Sequence, residues 1–116
     1  MSMIRSCCGL VVIAGSLLLG QADASAASAE KGKTLFIRYG CFQCHGTVGQ
    51  GGNAAPKIAP DPLPYEALAS FVRTTNRQMP PYREAVLPNE DLADIYAYLQ
   101  SVPKTPDYKT IPLLNE

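Results

Sequence analysis

The pentapeptide Cys41-Phe42-Gln43-Cys44-His45 limits what this chain can fold into more than any other feature. Its two thiols are one helical turn apart, and the imidazole that follows is the only one in 116 residues. A chain of this length makes one small domain. Lysine plus arginine match aspartate plus glutamate, so the formal net charge is zero. No basic excess supports nucleic-acid binding, and no acidic block suggests a disordered tail. The 9 glycines and 10 prolines imply many turns and short elements.

The working domain is smaller than the chain. Met1 to Cys8 carries Arg5 and no acid, Leu10 to Leu19 is apolar apart from Gly15 and Ser16, and residues 21–29 are mostly small. A charged start, a short apolar middle and a small-residue exit make a secretory signal peptide over residues 1–24, with cuts after Ala27 or Ala29 as alternatives. A membrane anchor is the competing reading, but the apolar run is well short of the ~20 residues a spanning helix needs. Cys7 and Cys8 precede that run, on the wrong side for a lipid-anchor cysteine. Export predicts a periplasmic location with no membrane span after cleavage, and leaves only Cys41 and Cys44 of the 4 cysteines.

In the remainder, Ser28 suits the N-cap of a first helix with Leu35 and Tyr39 on one face, flanked by Phe36 and Ile37, and Gly40 ends it. Residues 46–64 read as a long loop. Pro64 suits the first turn of a second helix with Leu68, Phe71 and Val72 as its stripe. Residues 76–81 form another loop. Asn89 is placed to cap a third helix in which Leu92, Ile95, Tyr96 and Leu99 share a face, with Pro103 beyond its end. Residues 28–102 make the domain, and 103–116, with three prolines, an extended tail. No strand or repeat is evident. Short helices bury little, so a domain of this size needs a staple, a metal or a cofactor. The long loop implies that the chain wraps something.

C-x-x-C-H reads as a c-type haem attachment site: two thiols one turn apart add to the porphyrin vinyl groups, and the adjacent imidazole becomes the proximal iron ligand. A thioredoxin-like redox pair expects a βαβ setting that is missing here. A structural zinc site wants four N/S ligands, and Cys41, Cys44 and His45 supply three. A disulfide is the plain alternative, but one closing so small a loop contributes little. With a single histidine, a sixth iron ligand within the chain cannot be a second imidazole. Met79, the one methionine outside the signal, sits in Gln78-Met79-Pro80-Pro81-Tyr82, where two prolines restrict the backbone. Packing in the core is the alternative for Met79; a His45/Met79 iron pair is the standard cytochrome arrangement.

With these residues in view, the chain resembles class I c-type cytochromes of the small exported bacterial monohaem type. The likeness runs from about Lys31 to Val102. It rests on Gly32 and Phe36, Cys41-Phe-Gln-Cys44-His45-Gly46, Ala55-Pro56-Lys57-Ile58, Gln78-Met79-Pro80-Pro81-Tyr82 and Asp94-Ile95-Tyr96-Ala97-Tyr98-Leu99. The resemblance implies an all-α cytochrome c fold of three to five short helices around one covalent haem c. It implies that the first and last helices cross near Gly32. It also implies that Pro56 offers its carbonyl to the free ring nitrogen of His45, fixing the tautomer; Pro60 is the rival for that role, since Ala55 stands where the family often has glycine. Arg73, Arg77, Lys57 and Tyr82 fall near the expected haem perimeter, with Arg73 first among them as a propionate partner. Tyr65, Tyr96 and Tyr98 read as helix packing.

The function expected is one-electron transfer, not catalysis, with a dehydrogenase as donor and a downstream cytochrome or oxidase as acceptor. Pro80, Pro81 and Tyr82 are the expected docking patch, and zero net charge predicts weak electrostatic steering. The alternatives are a permanent cytochrome subunit of an exported dehydrogenase, held by the tail through Ile111, Leu113 and Leu114, or a haem peroxidase, or a thiol-disulfide oxidoreductase. Met79 on the iron would close the first enzymatic route, and attachment of both thiols would consume the second.

Overall fold

A computed structural model of the chain describes residues 26–115. The expected signal peptide, residues 1–24, lies outside the described residues. Four short helices and no strand make up the described chain: α1 (Ala29–Arg38), α2 (Cys41–His45), α3 (Tyr65–Thr74) and α4 (Asn89–Ser101). This is the all-α architecture that the resemblance implies. No described helix is long and apolar enough to cross a membrane.

Helix α1 begins as its sequence dictates. Ser28 is the N-cap, and its Oγ accepts a hydrogen bond from the Lys31 amide at 3.2 Å. The helix buries Gly32, Leu35 and Phe36, which recur at the three- and four-residue spacing of one face. Ile37, expected beside them, is exposed. Gly40 follows in the left-handed conformation with φ 78°, which lets the chain break and restart at once as α2. The sequence reading had no separate helix here.

Helices α1 and α4 form the central pair. Phe36 is completely buried, and its ring meets Tyr98 with centroids 5.6 Å apart. Leu92, Ile95 and Leu99 of α4 are buried with it; Tyr96 packs outside this core, its ring 5.3 Å from that of Tyr65 on α3. Burying one such large apolar side chain contributes about 1.5–3 kcal/mol. The helices approach so closely that a Cβ on Gly32 would overlap the Asp94 carbonyl.

A polar clamp closes the same crossing. The Ser28 amide donates to Asp94 Oδ1 at 2.6 Å, Lys31 Nζ bridges Asp94 Oδ2 at 2.7 Å and Asp91 Oδ1 at 3.0 Å, and the Tyr39 hydroxyl donates to Asp91 Oδ2 at 2.8 Å. The Lys31 ammonium and the Ser28 amide hold the Asp94 carboxyl below its ordinary range. The Tyr39 hydroxyl, then the Lys31 ammonium, do the same for Asp91.

Two expectations are corrected. Asn89 does not cap α4: Pro88 takes the cap position, its carbonyl accepting from the Leu92 amide at 3.0 Å, and Asn89 begins the helix with its side chain turned to Arg73 and Glu84. The tail is not uniformly extended. Tyr108–Thr110 and Pro112–Leu114 form 3₁₀ turns, the first capped by Asp107. Lys104 reaches Asp61 at 3.3 Å, an exposed pair that contributes little.

Candidate functional site

The loop 46–64 carries the site because its glycines fold it back onto α2. The Gly51 amide donates to the His45 carbonyl at 2.7 Å, and the Gly49 carbonyl accepts from the amides of Ile58 and Ala59 at 2.8 and 3.0 Å. Gly51 has φ 82°, and a Cβ there would run into the Lys57 backbone. This return places the Pro56 carbonyl 2.9 Å from His45 Nδ1. Nδ1 therefore donates, which puts the proton on that nitrogen and leaves Nε2 a lone pair. His45 is buried, with no other hydrogen bond to its ring among the described residues. Pro60, the rival for this contact, does not make it.

His45 shares a cavity of about 860 Å³ with Cys41, Cys44 and Met79. The four residues come from two distant segments, α2 and the loop after α3. Cys41 is half-buried and Cys44 exposed, and both are free thiols. Burial pushes the Cys41 thiol up to about 11, so it is neutral at neutral pH. Among the described residues no group of three or more His, Cys, Asp and Glu side chains could hold a metal ion.

The cavity fits a haem. Its volume is within the ~300–1,000 Å³ of small-molecule and cofactor sites. Its walls are apolar, from buried Phe36, Leu87 and Leu99 inward to Leu63 and Phe71 at the edge. Leu63 and Phe71 are 59% and 49% exposed toward this space, surface that a large flat apolar group would cover. Phe71 thus departs from the expected core stripe, of which Val72 alone is buried. Lys57, Asp61, Arg77 and Tyr82 also line the cavity.

The segment bearing Met79 is tied down on both sides. The Thr75 hydroxyl donates to the Met79 carbonyl at 3.4 Å. Beyond the two prolines, Tyr82 makes three bonds: its amide donates to the Val72 carbonyl at 2.9 Å, its hydroxyl to the Tyr39 carbonyl at 2.9 Å, and its carbonyl accepts from Arg73 Nη1 at 2.7 Å.

Arg73 was expected first among the residues of the haem perimeter. It does not line the cavity. Its Nη1 is engaged by Tyr82, and its Nη2 donates to Asn89 Oδ1 at 2.8 Å. Its guanidinium fork is committed to two protein oxygens, and the cations that line the cavity are Lys57 and Arg77. The Asp91–Asp94 clamp was missed altogether. Its only signal in the sequence was a pair of acids three residues apart on α4, inside a helix that otherwise reads as an apolar face.

No curated protein and no solved structure matches the chain. A family model described as cytochrome c oxidase, cbb3-type, subunit III matches residues 27–99, which spans α1 to α4 and stops short of the tail. The match covers well over half of the chain, and with it the attachment motif, the returning loop and Met79 all fall inside one known kind of domain: the chain belongs to this family of c-type cytochrome domains, which bind haem c covalently and transfer electrons.

Proposed function

We propose that this protein is an exported, periplasmic one-electron carrier whose haem iron is held by His45 and Met79. The observation that carries the reading is the meeting of Cys41, Cys44, His45 and Met79 in one apolar cavity, with the His45 tautomer fixed by the Pro56 carbonyl. Haem, when bound, supplies the one-electron couple. The chain's own residues do the rest. Cys41 and Cys44 anchor the group through their sulfurs. Pro56 holds Nδ1–H so that Nε2 is presented as a basic ligand. Met79 supplies a thioether, which favours the reduced state and raises the potential. Phe36, Leu87 and Leu99 exclude water, which raises it further. With His45 and Met79 both given to the iron, the group would offer peroxide and oxygen no free site. Met79→Ala should open one: the reduced-minus-oxidised spectrum should change and the potential fall. An unchanged spectrum and potential would reject Met79 as ligand.

A second reading, a permanent subunit of a larger oxidoreductase, is favoured by one observation. Leu113 and Leu114, in a tail outside the family match, are 81% and 62% exposed. Gel filtration of native extract separates the two readings: co-elution of the haem protein with a large enzyme supports the subunit, and migration at the size of the free domain supports the carrier.

A further inference from the structure

Arg73 does not line the haem cavity, yet it is bonded to the segment that carries Met79. Between Tyr82, which is tied by three hydrogen bonds, and Thr75, the Met79 segment has only the 3.4 Å contact from the Thr75 hydroxyl to the Met79 carbonyl. The two prolines between Met79 and Tyr82 transmit position along the chain, because each fixes its own φ and restricts the residue before it. The placement of the Met79 sulfur is therefore set at Tyr82. There the one charged donor is Arg73, and its fork makes two contacts at once: Nη1 on the Tyr82 carbonyl and Nη2 on Asn89 at the start of α4. Asn89 is itself fixed by donating to Glu84 Oε1 at 2.7 Å. The loop is thus pinned to α3 and α4 together, the second of which carries four of the nine buried core residues.

From this geometry we infer that Arg73 is a positioning residue for the Met79 thioether. It holds the loop in the arrangement where the sulfur reaches the iron, against an open arrangement where the sulfur is released. The inference rests on the reading of Met79 as axial ligand. An external ligand for iron binds only the open arrangement, so its apparent affinity scales with the population of that arrangement. Losing the Arg73 contact should raise that population about tenfold, a factor equal to about 1.4 kcal/mol and at the low end for a hydrogen bond from a charged donor.

The test is a spectrophotometric titration of ferric holoprotein with imidazole, with the redox potential measured alongside. Arg73→Leu should bind imidazole about tenfold more tightly than the parent and have a lower potential; Arg73→Lys, which keeps the charge and loses the fork, should fall between. Met79→Ala should bind imidazole tightest of all, and adding Arg73→Leu to it should change the affinity less than about twofold, since no sulfur is left to compete. If Arg73→Leu yields no holoprotein, Arg73→Lys and Asn89→Ala carry the same comparison. Parent-like affinity in the Arg73 variants, with tight binding by Met79→Ala, overturns the inference and leaves the axial reading standing. An Arg73→Leu effect that persists undiminished without Met79 also overturns it, because Arg73 then acts on something other than the sulfur. Unchanged affinity in Met79→Ala alone sinks the axial reading instead.

Discussion

Gly32→Ala adds one methyl group at the tightest point of the molecule. The new Cβ would overlap the Asp94 carbonyl, with the carbonyl carbon and the Ile95 amide nitrogen next nearest. All three are backbone atoms of α4, so no rotamer change relieves the clash and the two helices must separate. Overpacking a core costs about 1–3 kcal/mol, and a clash between backbones belongs at the top of that range. Replacing an interior helical glycine by alanine returns about 1 kcal/mol. The net expectation is a loss of about 2 kcal/mol, which at a slope near 1 kcal/mol/M for so small a domain lowers the urea midpoint by about 2 M. Chemical unfolding of the holoprotein, followed by far-UV circular dichroism, measures this directly. Gly52→Ala is the control: nothing lies within 4 Å of its Cβ position, and the change should be neutral or slightly stabilising. A Gly32→Ala midpoint within about 0.5 M of the parent would refute the close crossing as a determinant of stability.

Cys41→Ser combined with Cys44→Ser should abolish stable holoprotein, measured as haem retained after acid-acetone extraction; a normal yield of folded, haem-free domain would show that the fold does not need the group. Asp94→Asn should lower the urea midpoint at neutral pH, because the carboxylate is held by Lys31 and the Ser28 amide. Since the Asp94 carboxyl lies below its ordinary 3.8 in the folded chain, its contribution is present above that value and fades as pH falls through the lower folded one. The gap between parent and variant should therefore close in acid, and a gap that is constant from pH 7 to pH 2 would show that the charge is not the cause. Sequencing the N-terminus of protein recovered from cells should give a chain that starts after Ala24 or Ala27. A start at Glu30 would mean that the Ser28 cap is dispensable, and one at Met1 would mean an anchor.

What could be read from the sequence was whatever covalent chemistry or strict periodicity had fixed. The attachment motif was legible because two thioether bonds and one iron bond leave no freedom in spacing. The buried face of α4 was legible because Leu92, Ile95 and Leu99 repeat at helical intervals over more than two turns. Helix α1 announced its start through Ser28, while Gly32 on its inner face, where a side-chain pattern looks for bulk, was legible only through the resemblance. Apart from the α1–α4 crossing at Gly32 and the Pro56–His45 contact, which the resemblance implied, contacts between distant segments were not legible. Arg73 was assigned to the haem because it is a cation on the helix before Met79; nothing local reveals that the Tyr82 carbonyl and Asn89 converge on it. Asn89 looked like a cap for the same reason, since a side chain claimed by a distant guanidinium cannot be told from one free to cap. Asp94 was invisible as a buried acid because Lys31, which makes its burial tolerable, lies on another helix.

The pairing of first and last helices has a consequence for how such a molecule is made. Phe36 meets Tyr98 of α4, the final helix of the domain, so the central pair closes only when residues from both ends of the domain are present. Cys41 and Cys44 emerge well before that helix does. The attachment segment therefore sits between two partners that only a nearly complete domain can bring together.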